Sequence, residues 1–324
     1  MRGQIQFDRA GVVRNLHFDL DGNLCRWERR LALDATTTPN WSALEIVTDP
    51  NQALVLAGPQ LEGETFTTES SYDALGRLVA ERHPDGTEVR LSYHESSLLS
   101  RLETKLPGSS SFTDIISETE YNAKGQRLSA RFGTGIVTSY CYDKKTFRIR
   151  RMTSRRSSDD KVLQDLHFIY DPVGNIVEQQ DCAQQEVYFD NTVVSAKGLY
   201  EYDALYRLVQ AIGREHPGQQ PNASDLPWSN LPHPNVQNAL VCYIEKYFYD
   251  QVGNLLRMQH QAGTSGWTRH YQYEADAQGD PLSNRLLATS VPGDPEQGPY
   301  GAQYAYDASG NMTSMPHLQA MTWD

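Results

Sequence analysis

Phe168-Ile169-Tyr170-Asp171-Pro172-Val173-Gly174-Asn175-Ile176 decides the fold of this chain, because its skeleton is rewritten along most of the 324 residues. The skeleton is an aromatic, an acid, two variable residues, a glycine, a polar residue and an aliphatic. It appears as Phe7-Asp8 with Gly11, and as Phe18-Asp19 with Gly22, Asn23 and Leu24. It returns as Tyr72-Asp73 with Gly76 and Leu78, Tyr121-Asn122 with Gly125, Tyr249-Asp250 with Gly253, and Tyr306-Asp307 with Gly310. Tyr142-Asp143 and Tyr202-Asp203 keep the front half and lose the glycine; Tyr206 stands where the second should be. Self-similarity at this density marks a repeat architecture before any single residue is weighed.

Each unit reads as a strand, a tight reversal and a return strand. Upstream of the acid, aromatics recur two apart, at Tyr140/Tyr142, Tyr200/Tyr202, Tyr247/Tyr249, Tyr271/Tyr273 and Tyr304/Tyr306. Residues two apart share one face of a strand, so these rings are expected to form rows. The aspartate caps its own turn, and the glycine takes the positive φ that the reversal needs. The aliphatic two residues beyond the glycine opens the return strand of a β-hairpin. Tyr72, Tyr93, Tyr121, Tyr142 and Tyr170 alternate 21 and 28 residues apart. Between them, Thr87-Val89-Leu91-Tyr93 and Ile136-Thr138-Tyr140-Tyr142 alternate with period two, which disfavours helix. The fold expected is therefore all-β, an antiparallel array of β-hairpin repeats.

Composition narrows the function. With 29 basic and 41 acidic residues the net charge is −12, which argues against nucleic acid and anionic membrane surfaces as partners. The apolar share is 39%, and 18 tyrosines outnumber 9 phenylalanines, so amphipathic rings cover the sheet faces in place of a thick aliphatic core. No run approaches the ~18 apolar residues of a membrane helix, and the first residues lack the apolar stretch of a signal peptide. Cys25, Cys141, Cys182 and Cys242 are scattered, without Cys-x-x-Cys spacing, and read as unpaired thiols on or under strands.

Taken in order, residues 1–33 hold two partial units and the charged strand around Arg26-Trp27-Glu28-Arg29-Arg30. Residues 34–63 are an irregular connector in which Trp41 to Val47 reads as a strand or one short helix. Residues 64–213 are the regular strip, with turns at His83-Pro84-Asp85-Gly86 and Gly133-Thr134-Gly135; the arginine-rich run from Arg148 to Arg156 reads as a solvated strand and loop. Residues 214–240 are a Pro/Asn-rich insertion that cannot hold a ladder, with Pro221, Pro227, Pro232 and Pro234. Residues 241–324 continue the array, with a second insertion expected from Ala275 to Pro299. Thr322-Trp323-Asp324 reads as the start of a further strand, so both terminal strands are expected to present unpaired edges that recruit other chains.

Repeated Tyr-Asp-x-x-Gly-[Asn/Arg]-aliphatic units resemble the RHS, or YD-repeat, family. Tyr202 through His216 and Asn311 through His317 look like the branch found in bacterial insecticidal toxin complexes and related virulence-associated proteins. The resemblance implies a β-strip that spirals into a hollow shell around a toxic domain carried at the C-terminal end. It implies a secreted, extracellular setting within a larger bacterial protein. The partners implied are the rest of an RHS polypeptide or toxin-complex subunit and a C-terminal toxin cargo. A surface adhesion or glycan-binding array, with exposed tyrosines stacking on carbohydrate, is the alternative. On this reading Tyr72, Asp73, Gly76, Tyr121, Gly125, Tyr142, Asp143, Tyr170, Asp171, Gly174, Tyr202, Asp203, Tyr249, Asp250, Gly253, Tyr306, Asp307 and Gly310 are structural repeat positions, with no catalytic, metal or cofactor role.

Enzymatic constellations were weighed on their chemistry. Family shells end in an aspartyl autoprotease built from paired Asp-Pro-x-Gly motifs, and Asp171-Pro172-Val173-Gly174 matches one. Two carboxylates must share a proton for that reaction, and no second motif follows, so the match reads as a repeat turn. Asp19-Leu20-Asp21-Gly22-Asn23 starts like a calcium loop, but Leu24 and Arg30 stand where its glycine and bidentate glutamate belong. His83, His216, His233 and His317 each neighbour a proline and read as turn residues; no Gly-x-Ser-x-Gly elbow occurs. The expectation is a non-enzyme that needs no cofactor and holds no pH-tuned group.

Overall fold

The computed structural model describes residues 5–34, 37–217, 239–263, 265–276, 279, 281–316, 318 and 321. Most of the 214–240 insertion, with its prolines and His233, and the segment holding His317, Thr322, Trp323 and Asp324 lie outside the described residues.

Among the described residues the main sheet is an antiparallel meander in which each strand pairs with the next strand of that sheet. Ile5–Asp8 pairs with Gly11–Phe18, which pairs with Leu24–Leu31, which pairs in turn with Phe66–Tyr72. The same step repeats through Glu88–Tyr93, Thr113–Tyr121, Ile136–Tyr142, Val162–Tyr170, Lys197–Tyr202, Val241–Tyr249 and Ser265–Ala275. Among the described residues the main sheet holds 20 strands, with two separate two-stranded hairpins beside it. The fold is the all-β hairpin array that the repeat chemistry predicts.

Every repeat tyrosine sits at a bulge. The register slips between Ser71 and Tyr72, Ser92 and Tyr93, Glu120 and Tyr121, Cys141 and Tyr142, and again at Tyr170, Tyr202, Tyr249 and Tyr306. A bulge raises local twist and re-aims a side chain. Here it lays each ring across the neighbouring hairpin. The positions buried beneath are small, chiefly Ala130, Ala211, Ala262, Ala288 and Thr119. The largest fully buried side chains are only Val12, Val194 and Thr119, so half-buried tyrosines close the sheet.

The 34–63 connector takes the helical one of its two expected forms. Trp41 to Val47 forms a single 3-10 turn, Ser42–Leu44, and the helix lies further on, at Pro50–Ala57. Asp49 caps it by accepting from the Asn51 amide at 3.0 Å, and Pro50 occupies the first turn, where its missing N–H costs nothing. Ala57 and Leu61 pack on Val12, with Phe7 and Trp41 alongside, and the Trp41 indole donates to the Asp8 carbonyl at 2.8 Å. A bridge between Ala32 and Leu61 closes the excursion.

The second expected insertion is also corrected. Within Ala275 to Pro299, Pro281–Thr289 is a full strand paired with Ser265–Ala275. Between them Gly279 stands at φ +87° and its amide donates to the Asp276 carbonyl at 3.0 Å. The segment's Gly, Asp and Pro content reflected the two turns that bracket a nine-residue strand.

Candidate functional site

The repeat turn is built around its aspartate. In the Asp73 turn one carboxylate oxygen accepts from the Leu75 and Arg77 amides at 2.9 and 3.0 Å, and the other from Arg77 Nε at 2.7 Å. Asp203 repeats this with Leu205 and Arg207, and Asp250 with Val252 and Asn254. Asp307 takes the Asn311 amide at 2.8 Å and its side chain at 3.0 Å. Asp143 serves a turn one residue longer, accepting from Lys145 and Thr146. Gly76, Gly125, Gly174, Gly253 and Gly310 all hold positive φ. Where the glycine is missing the geometry persists, because Ser97, Phe147 and Tyr206 take φ of +64°, +60° and +63°.

The tyrosine hydroxyls tie consecutive units together. Tyr93 donates to the Leu78 carbonyl at 2.7 Å, Tyr121 to Leu99 at 2.9 Å, Tyr142 to Arg127 and Tyr170 to Ile149 at 2.8 Å. Tyr202 donates to Ile176 at 2.9 Å, Tyr249 to Leu208 at 2.8 Å and Tyr306 to Leu286 at 2.9 Å; Tyr72 and Tyr273 do the same at 3.2 Å. Except for Leu286, which lies within Pro281–Thr289, each acceptor is the residue that opens the previous unit's return strand. This accounts for tyrosine where phenylalanine would bury equally well. Tyr93→Phe leaves the Leu78 carbonyl without that donor and is expected to cost about 1 kcal/mol in urea denaturation. Gly76→Val should cost more than ~1 kcal/mol, whereas Tyr206→Gly, which relieves a strained tyrosine, should change stability by less than that.

Asp171 belongs to this lattice. It accepts from the Gly174 and Asn175 amides at 2.6 and 2.9 Å and from the Asn175 side chain at 2.8 Å. Burial pushes its carboxyl up, but these bonds outweigh burial and hold it below the ordinary carboxylate range.

Asp165, His167 and Cys182 bring ligand atoms within 4.8 Å of one another. Arg151 already occupies both Asp165 oxygens, at 2.7 and 2.8 Å, and Thr153 adds a third bond. The guanidinium therefore supplies the cation at this cluster. All four cysteines are free thiols.

A cluster that sequence reading did not single out lies beside the insertion. His260, 5% exposed, places one ring nitrogen 3.1 Å from Glu215 and the other 3.1 Å from Glu245. Its ring stacks on Trp267 at 5.1 Å and 9°, with Tyr243 on its other side at 5.2 Å. Tyr247 donates a short hydrogen bond to Glu245. Four consecutive strands contribute: Glu215 comes from Leu208–Glu215, and the register of the next three pairs Glu245 with His260 and His260 with Trp267. Burial pulls the imidazole down, but the two carboxylates outweigh it and push it up to about 9. The expectation of no pH-tuned group is thus corrected: His260 is an imidazolium pinned between two acids.

The hairpin array and its Tyr–Asp–Gly turns define an RHS-type YD-repeat strip. The chain resembles the RHS proteins of insecticidal toxin complexes. Toxin subunit YenC2 of Yersinia entomophaga is 29% identical over 324 residues, which takes in 98% of this chain and 32% of that protein. Toxin subunit YenC1 of the same organism is 30% identical over 268 residues, 82% of this chain and 26% of its own length. The chain thus spans about a third or less of these curated relatives. Among solved structures, TcdB2-TccC3 matches with a TM-score of 0.72 at 27% identity, covering 98% of this chain and 15% of that one. TcdB2-TccC3 without its hypervariable C-terminal region gives 0.73 over the same shares, also at 27% identity. The Photorhabdus luminescens Tc holotoxin pore gives 0.68 at 25% identity, covering 98% of this chain and 16% of that one. No protein-family profile matches the chain. Among the described residues no helix is long and apolar enough to cross a membrane.

Proposed function

We propose that the chain is a non-catalytic wall segment of an RHS shell that encloses or carries a C-terminal toxin or effector domain. It works within a larger bacterial polypeptide that acts outside the cell, its partners being the rest of that polypeptide and the enclosed domain. The observation that carries this reading is the match of 98% of the chain to TcdB2-TccC3, a protein whose C-terminal region is hypervariable. The side-chain chemistry supports it: carboxylates, hydroxyls and guanidinia of the repeats are spent on turn caps and ties between units, which suits a wall. The repeat positions, from Tyr72 to Gly310, are the structural elements of that wall.

Limited proteolysis of the full-length natural polypeptide tests the proposal. The domain downstream of the repeats should resist protease as long as the strip is intact, and digest readily as an isolated domain. Asp171→Asn should leave any self-cleavage of that polypeptide unchanged. A downstream domain digested equally fast in both settings contradicts the enclosing role, and loss of cleavage in Asp171→Asn contradicts the turn-cap role.

A further inference from the structure

At four of the strip's steps from one turn to the next, the side chain just before the aliphatic that accepts from the next tyrosine has a set task. Arg77, Arg148, Arg207 and Arg285 lie over the rings of Tyr93, Tyr170, Tyr249 and Tyr306, with the guanidinium carbon 4.6, 5.5, 4.9 and 5.1 Å from the ring centre. Two of them also reach the next turn's backbone, Arg148 donating to the Asp171 carbonyl at 2.9 Å and Arg207 to the Asp250 carbonyl at 2.7 Å. A guanidinium suits both tasks, since it stacks on an aromatic face and donates in its own plane.

At the step onto Tyr202 that residue is Asn175, whose side chain turns back to its own Asp171. Among the described residues no cation covers the Tyr202 ring. A groove of about 400 Å³ opens there, lined by Asp171, Asn175, Tyr200, Glu201, Tyr202 and Tyr206 among others. Tyr206, 60% exposed and at φ +63°, forms one wall where most turns have glycine. Asn23 and Asn254 hold the same position before Leu24 and Leu255; Asn254 turns back to Asp250 as Asn175 does to Asp171, and Asn23 lies 3.8 Å from where a Cβ on Gly76 would stand. Of the three acids lining the groove, Asp203 is paired with Arg207 Nε at 2.7 Å, while Asp171 and Glu201 have no ion pair among the described residues. Asp171 is capped by amides alone, and Glu201 is exposed and in no ion pair among the described residues.

We propose that this groove is a receptor for an arginine side chain of a partner polypeptide, which takes the place over Tyr202 that the strip's own arginines take elsewhere. The guanidinium stacks between Tyr202 and Tyr206 and is neutralised by Asp171 and Glu201. A neutral sugar gains the aromatic face but leaves the two carboxylates uncompensated, so the charge favours arginine. The inference does not depend on what the strip encloses.

Saturation-transfer NMR on the 324-residue chain with Nα-acetyl-arginine methylamide, and separately with a methyl glycoside, tests it. Arginine should bind and the glycoside should not. Asn175→Arg, which places the strip's own guanidinium in the groove as at Arg77 and Arg207, should abolish binding with the melting temperature unchanged. Asn254→Arg, the same change at the same position of another turn, should leave binding intact. Tyr206→Gly should weaken it about five-fold. Absence of arginine binding, binding of the glycoside alone, or arginine binding undiminished in Asn175→Arg each overturns the proposal.

Discussion

His260→Gln is expected to destabilise the chain by about 3–5 kcal/mol, because it replaces the charged imidazole, itself 5% exposed, that lies 3.1 Å from both Glu215 and Glu245. The wild-type protein reports the same physics through pH. The folded imidazole is raised to about 9 from an ordinary value of 6.5. A raised histidine contributes stability that is fully present below 6.5 and is lost as pH rises through about 9. On the acid side the sign reverses. The turn aspartates Asp73, Asp143, Asp203 and Asp250 are held below 3.8, so their contribution is present above that value and is lost as pH falls through the lowered ones. Urea denaturation between pH 5 and 10 should show a plateau below about pH 6.5 and then a progressive fall that is complete near pH 9. In His260→Gln that fall should be absent. A wild-type profile flat through pH 10 contradicts the charged-cluster assignment.

Gly11→Val is expected to have an effect of similar size through the backbone. Gly11 stands at φ +128°, and a Cβ there meets the Arg30 carbonyl oxygen at 2.2 Å. Both strain and overlap with main chain must be relieved, and the strand that pairs Gly11 with Leu31 has to give. The cost should exceed about 3 kcal/mol, visible as loss of the cooperative transition or a large drop in its midpoint. Gly253→Val separates the two causes: it also holds positive φ but its Cβ would meet nothing within 4 Å. It should pay only the strain, about 1–2 kcal/mol.

The strand–turn–strand unit was legible in the sequence because its chemistry is local: an acid that caps its own turn and a glycine four residues after the ring. What lay outside that reach was set by tertiary context. Phe147 and Tyr206 show no sign of positive φ in their identity; the hydrogen-bonded frame of Asp143 and Asp203 imposes it. The tyrosine ladder was half visible, as rows of rings, but the bulge that turns each hydroxyl onto the previous unit leaves no mark in residue type. The strand Pro281–Thr289 was hidden by the turn residues on both sides of it. The Glu215–His260–Glu245 cluster was invisible because its members lie far apart in sequence and meet only through antiparallel register. The helix Pro50–Ala57 did carry a local signal, Asp49 followed by Pro50, that attention to Trp41–Val47 passed over.

The central claim is that this strip is wall. Cryo-electron microscopy of the full-length natural polypeptide tests it most directly. The account predicts a closed, hollow β-shell with residues 64–213 running as consecutive hairpins in its wall and with density for a further domain inside. A reconstruction in which these hairpins form an open sheet, with the downstream domain outside and in contact with solvent on all sides, contradicts it.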